Sequence, residues 1–365
     1  MVLFNKVKNR MINVIFDGDN VLLEIGSPGI TGIKKSLNKS DWDRYLTDKM
    51  NSGYVVEDKK TEMKKAGFCH KILEKLALRS RQIVAESYKL SIIPTKEDIQ
   101  KAKDLLIELS KITDLSTFNE KLLDLFALIP RKMRNPILFT AKNEESFPEI
   151  LDRENTLLDN LAVNNGNDTD HADEEIRFEE CTKEETSKIY DMLDFSTKRK
   201  FSKVYRVSNK YSDANFESYL KKTEISKTKL LFHGSKTENW YSIIKTGLNC
   251  NPVNVAITGK MFGNGIYFAP KADKANGYTS LSNSKWANGH ESCAYMGVFE
   301  VATGKEYCTD SWYDKYSTIN AMNKKKFIGD CDSFHALAGK YLRFDEVIVY
   351  DNDASRIKYL IELTF

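Results

Sequence analysis

The sequence predicts an α+β chain in three parts: a small β-rich module over residues 1–60, an all-α bundle over 61–165, and a mixed, largely antiparallel β-rich domain over 176–365. A polar linker at 166–175 separates the last two. Three observations carry this reading. Short apolar runs broken by turn residues fill the first sixty positions. Leucine and isoleucine then recur at helical spacing. Past the linker, aromatic-rich strand-like runs return and end in the alternation of Ile357, Tyr359, Ile361, Leu363 and Phe365.

In the first part, Met11 to Phe16 reads as a strand, Asp17-Gly18-Asp19-Asn20 as a hairpin turn and Val21 to Ile25 as its partner. Gly26-Ser27-Pro28-Gly29 forces a second turn. Asp41 to Met50 reads as a short helix capped by Ser40, and Gly53-Tyr54-Val55-Val56 resumes as a strand. In the second part, Lys71 to Leu90 carries Ile72, Leu73, Leu76 and Val84 at helical spacing. Pro94-Thr95-Lys96-Glu97-Asp98 is a helix start, with Thr95 as cap and the acids near the positive end of the dipole. Another helix is expected from Thr117 to Pro130, and a last one through Leu157, Leu158 and Leu161. Asn164 to Glu175 is acidic, polar and aperiodic, as a linker is.

The third part opens with Ile176 to Ile189 and a strand at Val204 to Val207. Lys198, Arg199, Lys200, Lys203, Arg206 and Lys210 form a basic run that reads as a solvated face. Leu230 to Phe232 and Ile266 to Phe268 read as strands, as does Met296 to Ala302. Trp312 to Asp332 is irregular, and Tyr341 to Tyr350 is an apolar strand expected to pair with the final one.

Composition sets limits. At 365 residues the chain has material for two or three domains, and 29% charged with 11% aromatic residues is an ordinary globular balance. A net charge of +3 is too small to argue for nucleic acid by itself. The six cysteines contain no C-x-x-C pair, so neither a zinc module nor a disulfide framework is indicated, and reduced intracellular thiols are expected. Met1 to Arg10 lacks the apolar segment of a signal peptide, and no stretch approaches transmembrane length, which counts against a secreted toxin and against a membrane partner.

Chemistry concentrates at Phe232-His233-Gly234-Ser235 and at Phe262-Gly263-Asn264-Gly265-Ile266-Tyr267-Phe268. The first presents an imidazole, a bare backbone and a hydroxyl at a strand end. In the second, glycines let a backbone or flat ring approach closely. Tyr278 follows eleven residues after Tyr267. Two tyrosines and a histidine-glycine pair can enclose a planar heterocycle, with Gly234 offering backbone hydrogen bonds to a carboxamide. A lone histidine at a strand end is ordinarily structural, and Glu346 alone reads as a surface acid at a strand entrance. The order of the motifs is what makes them informative. A dinucleotide fingerprint is rejected, because Phe268 stands where its third glycine belongs and no helix pattern opens there.

This order, His-Gly-Ser, then Gly-x-Gly-Ile-Tyr-Phe-Ala, then Tyr and a late Glu, resembles the poly(ADP-ribose) polymerases with their His-Tyr-Glu triad. The resemblance covers about residues 70–365. It implies NAD+ as substrate and no metal, with His233, Tyr267 and Glu346 catalytic. It also implies that Gly234, Ser235, Asn239 and Tyr278 bind NAD, Ser235 and Asn239 through the adenosine ribose. Met261 matches an acceptor position and Lys274 one that supports elongation, while the loop from Gly247 to Lys260 corresponds to the donor-site loop. The stretch Leu123-Asp124-Leu125-Phe126-Ala127-Leu128-Ile129-Pro130 is similar to the family's helical regulatory domain. Residues 1–60 are similar to a WGR domain, with Ile25-Gly26-Ser27 where Trp-Gly-Arg belongs; the resemblance implies binding of DNA ends or nicks, and a module that serves only packing or protein binding is the alternative.

Some positions depart from the family pattern. Ala275 replaces a serine that hydrogen-bonds the nicotinamide amide, removing about 0.5–1.5 kcal/mol unless Thr279, Ser280 or water supplies the bond. Phe344 replaces a tyrosine and bears on polymer branching, and it also disfavours a cholera-toxin-like transferase, whose second glutamate would stand there. Asn249 sits where some members carry an arginine near the adenine.

Three readings follow: a DNA-responsive polymerase modifying proteins including itself, a mono-ADP-ribosyltransferase on protein or nucleic-acid ends, and a low-turnover scaffold sensing NAD or DNA. An intracellular site is expected, nuclear or in the cytoplasm and nucleoid according to host.

Overall fold

The computed structural model of the chain describes residues 2–5, 10–26, 33–57, 69–89, 94–165, 175–250, 261–281 and 292–364. It divides into two compact units, Met1–Leu78 and Arg79–Phe365.

The first unit holds an antiparallel sheet in the order β4-β3-β2-β1-β5. Its strands are β1 (Val2–Asn5), β2 (Arg10–Asp17), β3 (Asn20–Gly26), β4 (Ile33–Asn38) and β5 (Val55–Glu57). Asp17 faces Asn20 across a two-residue turn in which Gly18 has φ +56°, the conformation that such hairpins demand. Strand alternation buries Ile12, Val14, Val21 and Leu23 and leaves Ile15 and Leu22 outward. The sheet core also takes Leu3, Tyr54 and Trp42, the first residue of α1 (Trp42–Asn51). Ser40 is not the helix cap: it lies in a 3-10 turn over Lys39–Asp41, and no side-chain cap is made. Burial of the Trp42 indole, edge-on to Phe16, fixes the start of α1 instead. The expected turn at Ser27-Pro28-Gly29, and with it the end of Ile25-Gly26-Ser27, falls outside the described residues.

Helix α2 (Cys69–Ser87) runs across the division at Leu78. In the second unit α3 (Lys96–Leu109) starts with a reciprocal capping box between Thr95 and Asp98. Helix α4 (Leu115–Leu128) begins two residues ahead of the expected Thr117, because the Asp114 carboxylate accepts the Thr117 amide. Helix α5 (Phe147–Asn164) packs its apolar face on α3 and α4, with Leu106, Phe118, Leu122 and Leu158 in the core and Phe118 stacked on Phe147 at 3.8 Å between centroids. One charge pair lies inside this apolar mass. The Arg131 guanidinium donates to Glu154 of α5 at 2.9 Å, and the two side chains are 7% and 2% exposed.

Two sheets build residues 175–364. The first has the order β6-β7-β14-β10-β8, formed by β6 (Ile176–Glu180), β7 (Phe201–Asn209), β8 (Thr228–Gly234), β10 (Cys293–Ala302) and β14 (Ser355–Thr364), all antiparallel. The second, β11-β12-β13-β9, uses β9 (Ile266–Phe268), β11 (Glu306–Thr309), β12 (Ser333–Ala336) and β13 (Glu346–Val349), with β11 and β12 parallel. The short helices among them are α6 (Lys183–Asp191), α7 (Phe195–Lys198), α8 (Lys210–Thr223), α9 (Trp240–Thr246), α10 (Ala272–Asn276) and α11 (Lys324–Ile328).

Two expectations about pairing are corrected. The strand expected over Tyr341–Tyr350 is only Glu346–Val349, because the preceding residues fold into a loop closed by Gly339 N–H to Leu342 C=O and Ala338 N–H to Asp345 Oδ1. Nor does β13 pair with β14. A 3-10 turn at Asn352–Ala354 carries the chain from one sheet to the other, so β13 lies between β12 and β9 while β14 lies between β7 and β10. Within the basic run, Arg206 is held by Glu179 and Glu185 and Lys210 by Glu175. The region expected to be irregular, Trp312–Asp332, contains a 3-10 turn at Asp314–Thr318 and α11. Residues 166–174 of the linker and 251–260 of the expected donor loop lie outside the described residues. Cys181, Cys250, Cys293, Cys308 and Cys331 are not joined in disulfides.

Candidate active site

The two sheets meet at the residues the sequence singled out. Phe232 and Ala269 exchange backbone hydrogen bonds of 2.9 and 2.8 Å, an isolated bridge that brings His233 of β8 against Tyr267 of β9. Because a carbonyl can only accept, the 2.9 Å contact from His233 Nδ1 to the Tyr267 oxygen places the ring hydrogen on Nδ1. Trp240, Phe268 and Phe299 pack edge-on around the imidazole and hold its plane. Two glycines permit the approach. A Cβ on Gly234 would stand 1.8 Å from the Ala275 carbonyl oxygen in α10, and one on Gly265 would stand 2.3 Å from Ile348 Cγ2 in β13.

The Tyr267 hydroxyl donates to the Gly263 carbonyl at 2.9 Å and accepts the Phe262 amide at 3.0 Å. Burial first, then the neighbouring Tyr350, pushes its pKa well above the ordinary value, so the phenol is neutral. Glu346 opens β13, is 7% exposed and accepts from Lys274 Nζ at 2.6 Å. Burial of the Lys274 ammonium works against its charge, but Glu346 and Tyr278 outweigh it and the net pKa is raised. Lys274 Nζ also lies 5.7 Å from the Tyr278 ring centre, bringing together the residues expected to serve elongation and stacking.

These groups face one cleft of about 340 Å³. His233, Gly234, Ser235, Asn239, Tyr267, Lys274, Tyr278 and Glu346 all line it; Met261 does not, and packs instead with the aromatic cluster around Phe262 while its carbonyl accepts Trp312 Nε1–H at 3.1 Å. Ala275 is in the lining, but Thr279 and Ser280 are not. The Thr279 hydroxyl donates to Asn276, and Ser280 Oγ accepts the Thr237 amide at 2.8 Å. Neither hydroxyl is therefore in place to substitute for the absent serine.

A second wall of the cleft is made by side chains that the sequence did not single out. Asp152, Asn155, Thr156, Asp159 and Asn160 of α5 line it, and Asn160 Nδ2 reaches Asn239 Oδ1 at 3.4 Å, while Asn239 Nδ2 donates to Ser235 Oγ at 3.0 Å. The signal was present. Polar residues at 152, 155, 156 and 159 repeat at helical spacing opposite the leucines, but a polar face on a bundle helix ordinarily means solvent. Among the described residues there is no group of three or more side chains suited to a metal, and no helix is long and apolar enough to cross a membrane.

Residues 183–365 match the family model described as the poly(ADP-ribose) polymerase catalytic domain. The poly [ADP-ribose] polymerase-like protein 100L of invertebrate iridescent virus 6 is 31% identical over 184 residues, spanning 50% of this chain and 96% of the viral one. Poly [ADP-ribose] polymerase 2-B of Oryza sativa subsp. japonica is 24% identical across 85% of this chain and 58% of its own length. Poly [ADP-ribose] polymerase 2 of Homo sapiens is 30% identical over 161 residues, 37% of this chain and 26% of the human one.

Proposed function

Because the chain belongs to the poly(ADP-ribose) polymerase family and is an ADP-ribosyltransferase, we propose that it takes ADP-ribose from NAD+, transfers it to proteins including itself and extends it into a polymer. The observation that carries this reading is the Lys274–Glu346 pair, set in the same cleft as His233 and Tyr267.

Nicotinamide lies between Tyr267 and Tyr278, its carboxamide on the Gly234 backbone, and Ser235 and Asn239 hold the adenosine ribose. As the bond from the ribose C1′ to nicotinamide breaks, the sugar takes on oxocarbenium character. The Glu346 carboxylate, hydrogen-bonded to the 2′-hydroxyl, stabilises that charge. Nicotinamide leaves with the bonding pair. The acceptor oxygen then bonds to C1′ and gives up its proton, toward Glu346 when the acceptor is the ribose hydroxyl of a growing chain. Lys274 steadies the carboxylate through both steps, and Met261 belongs to the acceptor side, outside the donor cleft.

The helical segment acts as a gate, since α5 places Asp152, Asp159 and Asn160 along the donor cleft, with Asp159 held by Lys103 at 2.8 Å and Asn160 reaching Asn239 at 3.4 Å, so the helix takes up space beside the groups that hold the dinucleotide. DNA ends or nicks release it through the N-terminal sheet. Ala275 and Phe344 favour a second reading, transfer of single ADP-ribose units. Labelled NAD+ with and without nicked DNA separates the two: ladders that lengthen with DNA support the polymerase, one modified band supports single transfer, and no product refutes both. Glu346→Gln is expected to lower transfer by about 10²–10³-fold, and deletion of residues 61–165 to raise turnover without DNA.

A further inference from the structure

Behind Glu346, on the face of the second sheet away from the steps just described, His335 of β12 is held between two carboxylates. Its Nδ1 lies 2.9 Å from Glu306 Oε2 and its Nε2 lies 3.1 Å from Asp345 Oδ2. The ring is 14% exposed. A neutral imidazole has one N–H and satisfies one of these oxygens, whereas the cation has two and satisfies both.

Each end of the clamp is anchored. From β11, Glu306 also accepts Lys227 at 2.8 Å and Lys229 at 2.7 Å, and Cys308 Sγ approaches His335 Nδ1 at 3.9 Å. Burial opposes the charge on Glu306, but the two lysines outweigh it and hold its carboxyl below the ordinary range. At the other end Asp345 Oδ1 accepts the Ala338 amide at 2.7 Å, closing the loop that leads into β13. Asp345 immediately precedes Glu346, and Glu346 sits opposite Ala336, the residue after His335, in the β12–β13 register.

We propose that His335 is a positioning residue for Glu346: clamped between Glu306 and Asp345, it fixes the backbone on which the catalytic carboxylate enters the cleft. The proposal rests on Glu346 acting in transfer. Removing the ring breaks the link between Glu306 and the turn at Asp345, and Glu346 shifts with that turn while the glycine, tyrosine and Ser235–Asn239 contacts to NAD+ stay in place. The effect therefore belongs in kcat and not in KM.

The test is nicotinamide release by the full chain, measured as kcat and KM for NAD+, with thermal melting of each variant. His335→Gln lowers kcat by about 10- to 100-fold at neutral pH, the range a small misplacement of a reacting group produces, and moves KM by less than about twofold. Asp345→Asn keeps the Ala338 bond through its amide oxygen and offers its amide nitrogen to Nε2, so it retains more kcat than Asp345→Ala. Wild-type kcat in His335→Gln overturns the proposal, and so does a loss of activity that follows the loss of folded protein, or a kcat in Asp345→Asn no higher than in Asp345→Ala. Glu346→Gln keeps the two readings apart: if it stays active, the role of Glu346 fails and the clamp with it, but if it is inactive while His335→Gln behaves as wild type, the clamp alone fails.

Discussion

Arg131→Met is the perturbation that bears most directly on whether α5 gates the cleft. Glu154 is almost wholly buried, and its carboxylate is divided between Arg131 Nη1 at 2.9 Å and Arg153 Nε at 3.0 Å. Removing one partner of a buried pair costs about 3–5 kcal/mol, because the other charge is left in a medium that cannot solvate it. Arg153 remains and is 40% exposed, so the loss is nearer ~2–4 kcal/mol. Glu154 lies on the same helix as Asp152, Asn155 and Asp159, and strain at its carboxylate is relieved by lifting that helix. At about 1.4 kcal/mol per tenfold change, the ratio of open to closed forms rises roughly 30- to 1,000-fold. Hydrogen exchange at residues 147–164 measures the opening, and nicotinamide release without DNA measures its effect. Arg131→Met with Glu154→Met restores an apolar contact and is expected to recover both stability and low basal turnover. Faster exchange in α5 with unchanged basal turnover would show that the helix lines the cleft without gating it.

Two further outcomes follow from distances in the site. Gly234→Ala sets a methyl group against the Ala275 carbonyl, and since both atoms belong to backbone the strand and α10 must part; a melting measurement should show about 1–3 kcal/mol lost, with nicotinamide release abolished even at saturating NAD+. The Glu306 carboxyl is depressed below its ordinary value of 4.5, so its contribution to stability is complete above that value and disappears as pH falls through its lower folded value. Glu306→Gln is accordingly expected to melt earlier at neutral pH, by about 1–3 kcal/mol, and to show a shallower loss of stability between neutral and acid pH, checked by melting curves from pH 7 down to pH 3.

The parts of the site legible in the sequence were those whose geometry is local. His233-Gly234-Ser235 at a strand end and Gly263 to Phe268 leading into Tyr267 needed only strand periodicity and the special role of glycine to stand out. Glu346 came from its place in the family pattern, and its neighbour Lys274 entered as an elongation position with no sign that the two would touch. What stayed hidden depends on contacts between distant segments. The α5 side chains in the cleft look, in sequence, like any solvated helix face. The sheet exchange at Asn352–Ala354 could not be foreseen from two adjacent apolar strands, because a short connection allows a hairpin as readily as a crossing. The start of α1 followed burial of Trp42 rather than the cap that Ser40 offered, a case of packing overriding local hydrogen bonding.

The place of β14 between β7 and β10 has a consequence for synthesis. Strands β7 and β10 are made long before residues 355–364, and until those appear each has an open edge where its neighbour belongs, Arg206 awaiting Tyr359 and Met296 awaiting Ile361. The sheet that holds His233 is therefore closed late, by the strand that follows Glu346. A nascent chain carries the imidazole, the glycines and both tyrosines well before it can use them. The order of translation thus delays ADP-ribosyl transfer until β14 is in place, and the open edges expose the chain to mispairing in the interval.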